Sequence, residues 1–110
     1  MGTLYYGMHA FNFDDRLLAH LQVIITLKLR RGERFFLSWR GDSSIGRKRA
    51  SVWIDNGVPL VCEYTGGRAP AINREWVREL SESANSSSGL LITDETTIVP
   101  IPVDAPDLDD

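Results

Sequence analysis

The sequence predicts a small α+β domain whose largely antiparallel sheet packs against one long apolar helix, in the order β-β-α-β-β-β-α-β. Three observations predict it. Asp14 to Gly32 (DDRLLAHLQVIITLKLRRG) is the longest apolar-patterned stretch of the chain. Short runs of alternating polarity stand on both sides of it. A second stretch, from Asn73 to Ala84, carries helical spacing behind a capping residue. With 110 residues, 43% hydrophobic and 25% charged, the chain has the size and composition of one globular domain.

Thr3 to Tyr6 reads as a short strand that Gly7 breaks, and Met8 to Phe13 as its hairpin partner, with His9, Phe11 and Phe13 on one face. In the organising stretch two templates compete. As a strand, Leu21, Val23, Ile25, Leu27 and Leu29 alternate with polar residues, with Ile24 out of place. As a helix, Leu17, Leu18, Leu21, Ile24, Ile25 and Leu29 share a face. Length and punctuation favour the helix, although β-branched Val23, Ile24, Ile25 and Thr26 weaken it. Asp14 can cap it, Phe13 can staple onto Leu18, basic residues crowd its last turn and Gly32 suits the position beyond it. Only Ala19, Gln22, Thr26 and Arg30 form a polar strip, so the helix is expected to be largely enclosed, by a sheet on one side and a helix or partner subunit on the other.

Arg34 to Arg40 reads as a strand with Phe35, Leu37 and Trp39 on one face and Phe36 and Ser38 on the other. A loop from Gly41 to Lys48 leads to a strand from Arg49 to Asp55, in which Ala50, Val52 and Ile54 oppose Ser51 and Trp53. Asn56-Gly57 is the strongest hairpin signal in the chain, which predicts that Val58 to Thr65 returns beside the preceding strand. Asn73 is the expected N-cap of the second helix, with Ile72 placed to staple Val77, and Trp76, Val77, Leu80 and Ala84 make its apolar stripe. Leu90 to Thr93 reads as a last strand. The domain is thus expected over 1–93, followed by an acidic, proline-spaced tail over 94–110 whose composition does not bury enough surface to order itself.

At this point the motifs are familiar as a set. MGTLYYG at the start, AHLQVII followed by KLRRGE, Ser38-Trp39, PAINREW at 70–76 and SANSSSGL at 83–90 resemble a family of small actinobacterial proteins of unknown function. Members of that family often carry the label "ATP-dependent DNA ligase". The resemblance covers about residues 1–93; it implies a small α+β domain and no catalytic residues to carry over. The ligase label itself fails on the residues. Ligases form an adenylate on the lysine of a Lys-x-Asp-Gly motif, and neither Lys28 nor Lys48, the two lysines here, stands in one.

Other chemistries are weakly represented. Gly41 to Lys48 has the two glycines of a phosphate-binding loop, but Arg47 and Lys48 replace its Lys and Ser/Thr, and a strand follows where a helix is needed. His9 and His20 lack metal-ligand spacing, Ser43 and Ser44 lack a nucleophile's context, and Asp55 and Glu63 read as solvated strand residues. A single Cys62 in an apolar run reads as a structural thiol. No catalytic residue, metal site or cofactor is expected. No apolar run is long enough to span a bilayer and no signal peptide is read, so the expected location is cytoplasmic.

Charge layout is more informative. Between Lys28 and Arg49 stand eight basic and two acidic residues, whereas 94–110 holds six acidic residues and none basic, in a chain of net charge −3. If the helix C-terminus and the 41–49 loop lie at one end of the sheet, Lys28, Arg30, Arg31, Arg34, Arg47, Lys48 and Arg49 form one patch for a polyanion, with the tail competing for it. Dipole complementation plus solvated charge is the ordinary alternative. Arg68, Asn73, Arg74 and Trp76, entering the second helix, form a second candidate surface, beside the plainer roles of capping and packing. The function expected is therefore that of a non-enzymatic binding domain, associating with protein or with itself; an accessory nucleic-acid-binding role is the alternative.

Overall fold

The computed structural model describes residues 1–41 and 48–95. The element order is β1 (Gly2–Tyr6), β2 (His9–Phe13), α1 (Asp15–Arg30), β3 (Phe35–Gly41), β4 (Lys48–Ile54), β5 (Leu60–Glu63), α2 (Arg74–Ala84) and β6 (Leu90–Leu91), which is the order read from the sequence. The strands form two three-stranded sheets, β2-β1-β5 and β4-β3-β6, where the sequence predicted one. All pairings are antiparallel except that of β6, which runs parallel to β3 over Leu90 and Leu91 and is shorter than expected.

The sheets divide at the segment that carries the strongest hairpin signal. β4 and β5 do not pair; β5 crosses to β1, where Leu4 faces Cys62 and Tyr6 faces Leu60. Among the described residues no non-glycine has positive φ, and Gly57 is not among the positive-φ glycines, so Asn56-Gly57 does not form the tight hairpin turn its composition favours. Tertiary bonds hold the crossover instead. The Asp55 N–H donates to the Tyr6 hydroxyl at 2.7 Å, Asn56 Nδ2 donates to the Leu29 carbonyl at 3.2 Å, and the Gly7 N–H donates to the Pro59 carbonyl at 3.0 Å.

Alternation fixes each sheet's inner face. Leu4, Tyr6 and Phe13 are buried on one sheet; Phe35, Leu37, Ile54 and Leu90 are buried on the other. Trp39 joins the two, with its ring edge-on to Phe11 at 5.0 Å and to Phe13 at 5.1 Å. α1 packs against β1 and α2. Its burial differs from the expected enclosure: Leu27 stays 41% exposed, while His20 and Lys28 are buried beside Leu18, Leu21, Ile24 and Ile25. The helix is thus less uniformly apolar in its contacts than its spacing implied.

Its ends also differ. Asp14 occupies the N-cap position without a side-chain capping bond, and the neighbouring Asp15 carboxylate instead accepts from the Thr65 and Gly66 N–H groups. Those backbone bonds, the Gly66 one foremost, hold the Asp15 carboxyl below the usual range. The C-terminus follows expectation. Gly32 takes φ +73, its N–H reaches the Leu29 carbonyl, and the Glu33 N–H reaches the Lys28 carbonyl, both at 3.0 Å. That pair of bonds is the Schellman arrangement, which needs a left-handed residue where Gly32 stands.

At α2 the cap is as predicted, with the Asn73 side chain accepting from the Glu75 and Trp76 N–H groups. Ile72 remains 44% exposed, whereas Trp76, Leu80 and Ala84 are buried as the stripe required. None of the described helices is long and apolar enough to cross a membrane.

Candidate functional site

Among the described residues, Lys28, Arg31 and Arg34 stand around the end of α1, and Arg49 stands opposite Arg40 on β4. Lys28 is 8% exposed; its ammonium pairs with Glu33 at 3.0 Å, donates to Asn85 Oδ1 at 3.0 Å and lies 5.8 Å from the centre of the Phe35 ring. Arg31 reaches the same Glu33 at 3.8 Å, and Arg34 pairs with Asp55 at 3.4 Å. Three of the seven candidate cations are therefore answered by nearby carboxylates, and Arg30 remains exposed on α1. Distance separates the rest. Arg34 precedes β3 and Arg40 stands near its far end, so six strand residues put about 20 Å between them. That exceeds the screening length of about 8 Å at physiological salt. Arg47, and with it most of the loop resembling a phosphate-binding loop, lies outside the described residues; Lys48 opens β4.

Two members of the second candidate surface, Asn73 and Trp76, take part in a buried network. His20, fully buried, donates from Nδ1 to the Arg16 carbonyl at 2.6 Å and accepts at Nε2 from the Asn73 N–H at 2.8 Å, which assigns its tautomer. The Trp76 ring lies 4.6 Å from the His20 ring, and its Nε1 donates to the Thr93 carbonyl at 3.2 Å. Arg16 grips Glu95 through two bonds of 2.7 Å, and Asn73 Nδ2 adds a third at 2.9 Å. Glu95, which the sequence reading assigned to the tail, is thus tied to both helices. Asn73 and Trp76 are committed to this network, while Arg68 and Arg74 stay exposed.

The Glu95 bonds have a pH signature. Arg16 first, then Asn73, hold its carboxyl down to about 2, against 4.5 when unrestrained. A carboxyl depressed in the folded state contributes stability above its unfolded pKa and loses it as pH falls through the folded one. Glu95→Gln is therefore expected to lower the urea midpoint at neutral pH. The gap to the parent protein should narrow below pH 4.5 and close near pH 2. A gap independent of pH would refute the assignment.

What the structure does assemble is the outer face of β3, β4 and β6. The antiparallel register pairs Phe36 with Trp53, Ser38 with Ser51 and Arg40 with Arg49, giving three rungs on one face. The two aromatic rings meet edge to face at 4.9 Å, yet remain 46% and 47% exposed. The serine hydroxyls are 2.7 Å apart, and Leu91, exposed on β6, stands beside Ser38. Arg40 and Arg49 are both exposed, and neither forms an ion pair among the described residues. Like charges directly opposite across a sheet repel, so this rung favours an anion. A cavity of about 350 Å³ opens between the serine and arginine rungs, with Ser88 and Leu91 at its side.

Sequence reading placed Phe36 and Trp53 on the polar faces of their strands without joining them. What joins them is the antiparallel register of β3 with β4, which alternation within each strand does not set.

Chemical competence is low elsewhere. Cys62 is partly buried, and desolvation pushes its thiol up, away from a reactive thiolate. Tyr64 donates to Gln22 at 2.5 Å, and burial raises its hydroxyl to about 12. Glu63 accepts from the Tyr5 hydroxyl at 3.2 Å, on a strand that does not pair with the one leading to Asp55. His9 is exposed, stacked at 6.2 Å on Phe11. Among the described residues, no three His, Cys, Asp or Glu side chains converge as a metal site.

A family model described as "Domain of unknown function (DUF7882)" matches residues 1–95. No curated protein and no solved structure matches the chain.

Proposed function

The chain belongs to this DUF7882 family, whose description assigns no activity, and we propose that it is a non-enzymatic binding domain whose contact surface is the outer face of β3, β4 and β6. Its partner is a protein surface, a second copy of the chain included. The observation that carries this reading is the exposed Phe36–Trp53 pair, continued by Leu91 and bounded by two arginines. Paired aromatics left half in water, with arginine beside them, are the composition of an association surface and its anchors. The surface proposed here lies on a sheet, whereas the sequence first suggested association through the α1 face.

Sedimentation equilibrium of the full chain tests it. A concentration-dependent shift towards dimer is expected, abolished by Phe36→Ser combined with Trp53→Ser and retained in Arg30→Ala. A strict monomer at every concentration would remove the self-association reading.

A second reading has one observation of its own. The aromatic rung and the arginine rung are four residues apart, about 14 Å along the strand, which suits bases stacked on the rings and phosphates held by the guanidinium groups. Residues 1–93 hold twelve basic and nine acidic residues, so the domain without its tail is positive. Stacking tolerates any base, so anisotropy with labelled oligothymidylate is a fair probe. Binding should weaken with salt, and Arg40→Ala with Arg49→Ala should flatten the slope by about one per charge removed. Absence of binding at low salt would remove this reading.

A further inference from the structure

The two sheets present four edges, on β2, β5, β4 and β6. That of β4 is the longest, with seven residues against five on β2, four on β5 and two on β6. Among the described residues β4 pairs with β3 alone, so its other side offers unpaired N–H and C=O groups. The strand (KRASVWI) has no proline, and its register with β3 runs without a bulge from Lys48 to Ile54. It therefore lacks two of the devices that stop an edge from adding a strand.

The strand is also complementary to itself. Groups on one edge recur every second residue, so an antiparallel copy must align residues of like parity. Centring the pair on Ser51 sets all seven residues of each β4 against the other. Lys48 and Arg49 stand at one end of the strand, and this register sets them against Ile54 and Trp53 of the copy rather than against cations. Arg49, Ser51 and Trp53 are exposed on the outer face. Facing side chains across such a pair lie about 4.5–5.5 Å apart at Cβ, which brings each guanidinium onto an indole ring, a favourable contact. The middle rung becomes Ser38, Ser51 and the same two serines of the copy, all small enough to let the backbones meet. Sliding the register by two residues either way leaves one end of each strand unpaired and takes Arg49 off the ring.

We propose that the free edge of β4 pairs antiparallel with β4 of a second copy of this chain, centred on Ser51, with Arg49 of each copy against Trp53 of the other. Two three-stranded sheets become one of six strands, and their outer faces join side by side. The proposal rests on the self-association reading above and deepens it, naming the strand edge as the route by which the second copy arrives. A seven-residue edge is small beside the roughly 1,200–2,000 Å² of a stable interface, so the dimer is weak and concentration-dependent.

The test is oxidative cross-linking of the full chain carrying Cys62→Ala and one new thiol. Residues facing each other in an antiparallel pair have Cα atoms about 4.5–5.5 Å apart, within disulfide range. Ser51→Cys should therefore link two copies rapidly. Ser88→Cys is the reference, because Ser88 is exposed beside Leu91 on the same face but two strands in from the edge. It should link at the rate of random collision. Adding Arg49→Ala to Ser51→Cys should slow linking about fivefold or more, since two contacts with Trp53 are lost per dimer. Arg40→Ala should not slow it. Equal linking at Ser51→Cys and Ser88→Cys means that the faces meet flat and overturns the proposal. Linking that Arg49→Ala leaves unchanged overturns it too, because the register is then wrong. Sedimentation of the reduced samples separates the two readings. A dimer without preferred linking at Ser51→Cys overturns the edge pairing and leaves self-association standing, whereas a strict monomer overturns both.

Discussion

Gly89→Ala is expected to destabilise the domain by about 2–5 kcal/mol, a large share of the roughly 5–15 kcal/mol that holds a domain of this size together. Gly89 takes φ +86, which an alanine adopts at a cost of about 1–2 kcal/mol. An added Cβ would also stand 2.7 Å from the Phe36 carbonyl oxygen and 3.0 Å from Phe36 Cβ. Moving β3 or the α2–β6 connection to relieve that overlap costs a further 1–3 kcal/mol or so. Gly57→Ala is the control, because a Cβ there meets nothing within 4 Å and its φ is not positive. Urea titration should give a sharply lowered midpoint for the first and an unchanged or slightly raised one for the second. Equal midpoints would mean that β6 does not press on β3 as described. Because the overlap is with Phe36, the variant also reports how tightly the outer face is supported from behind.

His20→Ala is the second large effect, expected at about 2–4 kcal/mol. The imidazole is fully buried between α1 and the start of α2, and its Nε2 is the acceptor for the Asn73 N–H. Removing it strands that donor, at a cost of about 1–3 kcal/mol, and leaves a cavity against Trp76. His20→Gln retains an acceptor at similar reach and should recover part of the loss, which a purely steric role would not predict. Urea unfolding followed by Trp fluorescence measures both, and equal losses in the two variants would show that the hydrogen bond contributes little.

The parts of the fold that were legible in the sequence are those written by local pattern. The order of elements, the inner faces of β3 and β4, the Asn73 cap and the Gly32 terminus each depend on residues within a turn or two of one another. The division into two sheets was not legible, because the Asn56-Gly57 segment is held by Tyr6, Gly7 and Leu29, all far from it in sequence. Local turn preference, worth little by itself, yields to those bonds. His20 and Lys28 illustrate the same limit: helical spacing could not reveal that a polar side chain on α1 would meet a cap on α2 or an asparagine beyond it.

The candidate site is now drawn elsewhere for a related reason. Proximity in sequence made Lys28 to Arg49 look like one basic surface, but a seven-residue strand carries charge away as efficiently as it connects it. Carboxylates from Glu33 and Asp55 then absorb the helix end. Arg49 alone of the described members lies on the face that the register builds with Arg40.

The central claim is that contact occurs on the rungs of β3 and β4. The most direct measurement of it is an amide-resolved NMR dilution series of the full chain. Signals that move with concentration should map to Phe36, Ser38, Ser51, the Trp53 indole and Leu91, with Arg30, Arg31 and the α1 terminus unmoved. Concentration-dependent shifts confined to Leu27 and the Lys28–Arg34 region, with Trp53 constant, would contradict the account and return the contact surface to the helix.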